Sequence, residues 1–172
     1  MNVLINFGIV IATVAVMEAI ANLSHKYIMH GWGWGWHESH HVEHDETFER
    51  NDLYAVVFAI PSMALCFAGA YYENALLWIG IGMTAYGILY FFVHDALVHA
   101  RWPWRVKPHG KYMTRLLQAH RMHHAVHGKD GCVSFGFLFA HDVRKLKEEL
   151  RAKHGGTVAN HAERKAQGET LH

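Results

Sequence analysis

Three long runs of apolar residues, separated by polar stretches, dominate the pattern along the chain. Residues 3–23 carry Glu18 as their only charged residue, and residues 53–72 and 75–93 carry no charge. Each run is close to the roughly 20 apolar residues that a helix needs to cross a bilayer, whereas a strand rarely exceeds about 8 residues. The pattern predicts an all-α membrane bundle of about three transmembrane helices, with a water-soluble helical core as the alternative.

The ends of these runs refine the prediction. Only Glu73 and Asn74 separate the second run from the third, which predicts an antiparallel helical hairpin. Residues 19–21 (Ala-Ile-Ala) resemble a signal-peptidase site, so the first run could instead be a cleaved leader. Residues 1–2 supply no positive charge and Glu18 would lie just before the cut, and both features favour a retained helix.

The distribution of charge sets the expected orientation. All sixteen Lys and Arg residues fall in residues 24–52 and 94–172, on one side of a three-span topology. By the positive-inside rule this side is cytoplasmic, so we expect a multi-pass protein of the inner membrane. A formal net charge of +1 gives no electrostatic case for general nucleic-acid binding, and two cysteines cannot form a disulfide scaffold.

The remaining segments are short. Val143–Lys153 shows an amphipathic helical pattern, and residues 132–140 are apolar but too short to span a bilayer. We interpret residues 132–140 as a packing or re-entrant segment beneath a metal site. Residues 155–172 are polar and predicted to be a flexible tail, which leaves residues 1–154 as the integral membrane domain.

Histidine is the anomaly in the composition, with 17 copies against 16 Lys and Arg together. Ten of them follow one spacing pattern that occurs twice, an H-x4-H pair and then an H-x2-H-H group. These ten candidate metal ligands are His25, His30, His37, His40, His41, His94, His99, His120, His123 and His124.

Helical geometry says how these rings can meet. Residues i, i+3 and i+4 share one face, so His37 can converge with His40 and His41. The neighbours His40 and His41 are themselves about 100° apart, so adjacent histidines can bind two different ions. The two residues of an H-x4-H pair are about 140° apart on a straight helix. They require a π-bulge, a helix end or separate ions.

The chemistry of the candidate ligands limits which metals can bind. Neutral imidazole suits Fe, Cu, Ni and Zn, and ten imidazoles are enough for two ions with open positions. A metal transporter or storage protein would place its ligands within the spans, whereas these flank the spans. A bis-histidine haem protein would need far fewer histidines.

Two carboxylates adjoin the candidate ligands. Asp95 follows His94 and Glu38 follows His37, and either could orient a ligand imidazole through its other N–H. A solvated surface position explains Glu38 equally well. Glu18, near the end of the first run, indicates a functional group or a pairing with Lys26. The histidines outside the repeat are expected to be ordinary surface or core residues without a ligand role. Among them, His44 and His127 come nearest to being candidate ligands, because each lies three residues after an H-H pair. The full set is His44, His109, His127, His141, His154, His161 and His172.

Three segments together carry a resemblance to a known family: MEAIANLSHKYIMHGWGWGWHESHH, FFVHDALVHARWP and HRMHHAVHGKDGCVSFGFLFA. They closely resemble the bacterial β-carotene 3-hydroxylases, within the fatty acid hydroxylase and sterol desaturase superfamily of membrane non-haem di-iron enzymes. The resemblance covers about residues 10–153. HESHH, VHDALVHARWP and CVSFGF are more specific to carotenoid hydroxylases than the histidine boxes alone. Residues 140–142 (Ala-His-Asp) depart from the expected Ala-Pro-Pro, outside those boxes.

The resemblance implies a reaction. The ten histidines would bind two iron ions in a monooxygenase that hydroxylates C3 of each β-ionone ring, converting β-carotene through β-cryptoxanthin to zeaxanthin. Canthaxanthin would similarly give astaxanthin. O2 would be the co-substrate and reduced ferredoxin the electron donor. Rival activities within the superfamily are fatty-acid or sterol hydroxylation and carotenoid C4 oxidation to a ketone.

The resemblance also suggests where partners meet the protein. The carotenoid would arrive from the bilayer, and the tryptophans of residues 31–36 and 102–104 would line its route or simply anchor the helices at the interface. The basic stretch of residues 101–115 would dock an acidic electron donor, or would act only as a topology signal.

Overall fold

The computed structural model describes residues 2–42, 48–103 and 106–154, and within them it shows helices and no strand. The α-helices are α1 (Val3–Ser24), α2 (Trp34–His41), α3 (Leu53–Tyr71), α4 (Leu76–Tyr90), α5 (Gly110–His123) and α6 (Val143–Lys153). Two π-helical segments, His25–Trp32 and Phe91–Val98, continue α1 and α4. A 3-10 turn, Arg50–Asp52, leads into α3.

Three continuous helical stretches are long and apolar enough to cross a membrane: Val3–Trp32, Arg50–Tyr71 and Leu76–Val98. Large apolar side chains along them point outward, with Leu4 78% and Phe67 76% exposed. Such surfaces suit lipid and would be unusual in a water-soluble monomer. The predicted all-α membrane bundle and its three spans are confirmed.

Helix α4 lies between α1 and α3, and small residues allow the close approach. A Cβ added at Gly80 would lie 2.6 Å from the Sγ atom of Cys66 on α3, and one at Gly82 would lie 2.6 Å from the Cβ of Thr13 on α1. Close backbone packing through small residues is the usual way that membrane helices associate. It brings the carboxyl ends of α1 and α4 and the amino end of α3 to one end of the bundle.

The segments after the third span cover that end. Helix α6 has the predicted bounds and packs Leu146 and Leu150 against Leu116 of α5. Residues 132–140 lie against the histidines as a segment without regular secondary structure, with Cys132 and Val133 buried. The predicted tail, residues 155–172, lies outside the described residues, as do His44, Trp104 and Arg105.

Candidate metal centre

The π-helical segments explain how the H-x4-H pairs converge. A π-helix closes i→i+5 hydrogen bonds, which bring residues five apart onto one face. The backbone N–H of His99 donates to the carbonyl of His94 at 3.0 Å, which is such a bond. His25 and His30 lie in the other π-helical segment. A π-distortion, one of the three possibilities that the spacing left open, is therefore present in both copies of the repeat.

All ten predicted ligands meet at the end of the bundle, in two adjacent groups that touch where ring nitrogens of His41, His123 and His124 lie within 4.8 Å of one another. Ring nitrogens lie within 4.8 Å of one another in the set His25, His30, His37, His123 and in the set His40, His94, His99, His120. His41 Nε2 lies 3.2 Å from His37 Nε2, and His124 Nε2 lies 2.9 Å from His120 Nε2. We call the first set with His41 cluster A, and the second set with His124 cluster B. Each adjacent histidine pair is thus divided between the clusters.

Uncharged oxygen atoms orient the rings of cluster A. Each ring presents its Nδ1 to one such atom, four of them backbone carbonyls and one the side-chain carbonyl of an asparagine. The pairs are His25 with Phe135 O at 2.9 Å, His30 with Lys129 O at 2.8 Å, His37 with Asn51 Oδ1 at 2.7 Å, His41 with Val126 O at 3.1 Å, and His123 with Val133 O at 3.0 Å.

Carboxylates orient two rings of cluster B. His40 Nδ1 lies 2.9 Å from Glu49 Oε1, and His94 Nδ1 lies 2.9 Å from Asp95 Oδ1. The guanidinium of Arg101 joins these two acceptors, since its Nη1 lies 3.2 Å from the same Asp95 oxygen and 3.3 Å from the same Glu49 oxygen. Arg101 also donates two hydrogen bonds to Asp52, at 2.9 and 2.8 Å.

This hydrogen bonding leaves the inner nitrogens as metal donors. A carbonyl oxygen can only accept, so the Nδ1 of His30 and the Nδ1 of His123 each carry the proton and donate it. Their Nε2 atoms then hold lone pairs, yet they face each other at 3.1 Å. Two lone pairs cannot share a hydrogen bond, and a cation is the partner that satisfies both. His40 Nε2 is buried without a hydrogen-bond partner. The residues therefore fit metal ions bound through Nε2.

Burial keeps the rings in the form that binds metal. Burial is the main cause of the low pKa values of His37 and His99, which are lowered to about 3, and of His41, which is lowered to about 4. Burial, followed by the neighbouring imidazoles, also lowers the pKa of His40, His120, His123 and His124 well below the ordinary value. Neutral imidazole is the ligand form, so these histidines are ready to bind at neutral pH.

Glu18 of α1 holds the segment of residues 132–140 beneath the clusters. Its Oε1 accepts the backbone N–H groups of Phe137, Leu138 and Phe139 at 2.9, 2.9 and 3.0 Å, and its Oε2 accepts the hydroxyl of Tyr86 at 2.8 Å. No ion pair between Glu18 and Lys26, the other expected explanation, is seen in the described part of the chain, where the carboxylate accepts these four donors.

Aromatic rings close the apolar side of the centre. Phe137 stacks on His25 of cluster A, with ring centroids 5.2 Å apart, and contacts His94 of cluster B at 5.5 Å. Phe137 packs in turn with Met17, Tyr86 and partly buried Tyr90. Together these side chains form the wall between the histidines and the membrane-spanning part of the bundle.

The tryptophans lie in different environments. Trp34 packs on cluster A, with its ring 5.3 Å from His30 and 5.2 Å from His41. Trp32 is 85% exposed, as an interface anchor would be. Trp102 contacts Phe91 at 5.5 Å.

Comparison with known proteins decides the family. Residues 10–142 match the fatty acid hydroxylase family, and this range includes every member of both clusters. The chain belongs to the fatty acid hydroxylase family. No solved structure matches this chain.

Curated members of this family share much of the sequence. A beta-carotene hydroxylase from Pantoea ananas is 60% identical over 95% of this chain and 92% of its own length. A beta-carotene hydroxylase from Paracoccus sp. (strain PC1) is 58% identical over 84% of this chain and 90% of its own length. A chloroplastic beta-carotene 3-hydroxylase from Haematococcus lacustris is 41% identical over 71% of this chain but only 39% of its own length. The resemblance to bacterial carotenoid hydroxylases is confirmed.

The carboxylates next to the ligands behave differently from each other. Asp95 orients His94 as expected. Glu38 is exposed, and the described part of the chain shows no hydrogen bond from its side chain; Asn51 orients His37 instead. Asn51 and Glu49 were missed because they lie 14 and 9 residues from their histidines. The available signal was the polar run of residues 49–52 directly before the second span.

The histidines outside the repeat stay outside the clusters where the structure describes them. His109, His127 and His141 are exposed, and His154 bonds to the carbonyl of Gly131 at 3.3 Å. That these histidines bind no metal stays a prediction. His44, His161 and His172 lie outside the described residues.

Proposed function

We propose that this member of the fatty acid hydroxylase family is a carotenoid ring hydroxylase. The reaction is O2-dependent hydroxylation at C3 of each β-ionone ring, which converts β-carotene through β-cryptoxanthin to zeaxanthin, and canthaxanthin correspondingly to astaxanthin. Two iron ions are the cofactor, and a ferredoxin-type protein supplies the electrons. The named relatives from bacteria support the substrate class, since the chain covers about nine-tenths of their length at 58–60% identity.

One observation carries the proposal: buried neutral imidazoles converge, lone pair to lone pair, in two adjacent clusters at the end of a membrane bundle. A ring methylene C–H is unactivated, and no acid or base among the side chains can attack it. Two bound iron ions would supply O2 activation and attack on that C–H bond. Cluster A would hold one ion and cluster B the other.

The protein's own residues would position these groups and exclude water. The carbonyls of Val133 and Phe135 and the side chain of Asn51 fix the direction in which the cluster A rings point. Phe137 and Tyr90 present an apolar surface beside both clusters, suited to the β-ionone ring. A carotenoid dissolved in lipid would reach this wall from the bilayer. Holding C3 in place there is the binding contribution to the rate.

The same proposal assigns surfaces to the partners. The clusters would lie at the cytoplasmic face of the inner membrane, as the positive-inside rule predicts. Arg101 bonds inward to Asp52 and Asp95, so the exposed Lys107, Lys111 and Arg115 are better placed to attract an acidic electron donor. Residues 1–154 would form the hydroxylase domain, and residues 155–172 a tail that it does not need.

Pigment analysis tests the proposal. The chain is expressed in a bacterium that accumulates β-carotene, and the carotenoids are separated by chromatography. We expect β-cryptoxanthin and zeaxanthin from the wild type. His123→Ala removes a buried cluster A ring and should abolish both products, whereas the matched control His127→Ala changes an exposed histidine and should retain them.

The alternatives give different results in the same assay. A C4 ketolase would produce keto-carotenoids without ring hydroxyls. A fatty-acid or sterol hydroxylase would leave β-carotene unchanged although the protein is folded and loaded with iron. Either result would refute the assignment to carotenoid C3 hydroxylation.

A further inference from the structure

The two clusters differ in the charge of the atoms that orient their rings. All five acceptors that face the Nδ1 atoms of cluster A are uncharged carbonyl oxygens. Both carboxylate acceptors, Glu49 and Asp95, face cluster B. The side chains of His40 and Glu49 are 2% and 3% exposed, so solvent screens their interaction very little.

A carboxylate partner changes what its imidazole offers a metal. A hydrogen bond from Nδ1–H to a charged acceptor is about twice as strong as one to a neutral acceptor, and it raises the basicity of the ligating nitrogen. A more basic ligand stabilises the more highly charged state of the ion. Arg101 contacts both acceptor oxygens, and its positive charge weakens the influence of the two carboxylates on His40 and His94. The difference between the clusters remains, because the carbonyl acceptors of cluster A carry no ionic charge.

We propose that the two metal positions are inequivalent, and that iron in cluster B favours the ferric state and has a lower reduction potential than iron in cluster A. This inference rests on the proposed function, since it takes both ions to be iron. One electron added to the diferric protein would therefore reduce the cluster A ion and leave cluster B ferric, with no bond formed or broken.

One short turn of the chain supplies an orienting residue to each cluster, a carboxylate to cluster B and an amide to cluster A. Glu49 and Asn51 are two residues apart at the 3-10 turn before α3, and they reach into different clusters. Glu49→Gln removes the negative charge at cluster B but keeps a carbonyl oxygen that can accept from His40. Asn51→Asp does the reverse at cluster A, where it adds a charge opposite His37. The two changes have opposite signs and nearly unchanged shapes.

The test is a redox titration of the full chain, purified in lipid nanodiscs and loaded with 57Fe. Mössbauer spectra at stepped potentials, set with dithionite and redox mediators, count ferrous and ferric ions. Removal of an outer partner changes metal affinity by about 10–100-fold. Tenfold in the ferric-to-ferrous preference corresponds to about 59 mV for a one-electron couple. Two neighbouring ions give two midpoints even when their sites are identical, so the assignment rests on which midpoint each variant moves.

The variants identify the positions. Glu49→Gln should raise the lower midpoint by about 59 mV per tenfold change and leave the upper one in place. Asn51→Asp should lower the upper midpoint. The control Asp142→Asn replaces a carboxylate by an amide, as Glu49→Gln does, but at an exposed helix cap, and it should move neither midpoint. If Glu49→Gln loses iron, Asp95→Asn provides the second removal of charge at cluster B.

Three results decide between the two proposals. Equal midpoints in the wild type, or a Glu49→Gln shift confined to the upper midpoint, would overturn the inequivalence. Hydroxylated carotenoids from a protein with equal midpoints would leave the proposed function intact and refute only this inference. If Glu49→Gln raises only the lower midpoint, but the iron-loaded wild type hydroxylates no carotenoid, the inference is supported and the proposed function is refuted.

Discussion

Replacement of Glu18 by alanine should loosen the segment that orients cluster A. This carboxylate accepts the backbone N–H groups of Phe137, Leu138 and Phe139 and the hydroxyl of Tyr86. Alanine leaves all four donors without their acceptor. The segment that they anchor also supplies the carbonyls that orient His25 and His123, so the effect reaches the metal centre.

The hydrogen bonds set the size of the effect. A hydrogen bond to a charged group contributes about 1.5–3 kcal/mol to stability. The bonds from Phe137, Leu138 and Tyr86 are partly buried and keep that strength, whereas the bond from exposed Phe139 is discounted. Loss of three such bonds predicts a decrease of about 4.5–9 kcal/mol in the free energy of unfolding. Iron affinity at cluster A should fall by about 10–100-fold, as it does when orienting partners are lost.

Two measurements on the full chain in detergent check this prediction. Thermal unfolding reports the stability, and iron per chain after dialysis reports the binding. Glu18→Gln keeps a carbonyl oxygen for the backbone donors but loses the charge, so it should recover about half of the lost stability and retain the iron. Tyr86→Phe removes one donor and leaves the three backbone bonds, so it should retain both irons.

The outcome that refutes the reasoning is specific. A Glu18→Ala protein that unfolds with the wild type and retains two irons after dialysis would show that residues 132–140 are held by packing alone. Equal losses in Glu18→Ala and Glu18→Gln would show that the negative charge matters, and not the presence of an acceptor.

Two further predictions concern acid and helix packing. The folded pKa values of His37, His41 and His99 are about 3–4 against 6.5 unfolded, so the unfolded chain takes up protons first as the pH falls. The free energy of unfolding of the chelator-treated protein should therefore decrease as the pH falls from about 7 to 4. Chemical denaturation at each pH measures this free energy, and a value that does not change with pH would contradict the prediction. Gly80→Ala places a methyl group against the α3 backbone and should lower the free energy of unfolding by about 1–3 kcal/mol. The control Gly87→Ala adds its methyl where no atom lies within 4 Å and should not destabilise the protein. Thermal unfolding compares the two variants, and equal melting temperatures would refute the packing argument.

Hydropathy and spacing predicted the parts of the structure that depend on local sequence. The three apolar runs became helices at nearly the expected bounds because burial in lipid requires an unbroken helix of that length. The H-x4-H spacing indicated a π-distortion because a straight helix cannot place His94 and His99 on one face. Both arguments need only the neighbours along the chain.

The orienting contacts could not be predicted in this way. The rings of His25 and His123 are held by backbone carbonyls, which every residue possesses and which therefore leave no mark in the sequence. Glu18 binds residues about 120 positions away, a pairing that only the packed bundle creates. Glu38 failed as a partner because its position on α2 faces outward, although it adjoins a candidate ligand.

The departure at residues 140–142 illustrates a difference that the structure absorbs. Ala140 stays buried in the core between α5 and α6, and His141 is exposed. Asp142 caps α6, since its side chain accepts the backbone N–H of Arg144 at 2.9 Å. An aspartate at this position stabilises the start of a helix, so the change replaces one way of beginning α6 with another. Neither cluster depends on it.

The hydrogen bonds on the outside of the clusters explain why the chain can bury eight of these ten imidazoles and half-bury His99 and His124. Unpaired buried nitrogens destabilise a fold, and lone pairs that face each other add repulsion. At His30 and His123 the outer nitrogen is satisfied by a carbonyl while the inner one is held 3.1 Å from its counterpart. The fold therefore accepts an unfavourable arrangement that a bound cation relieves. Metal binding must then stabilise the folded chain, because the unfolded chain cannot assemble rings from residues 25 to 124 around one ion.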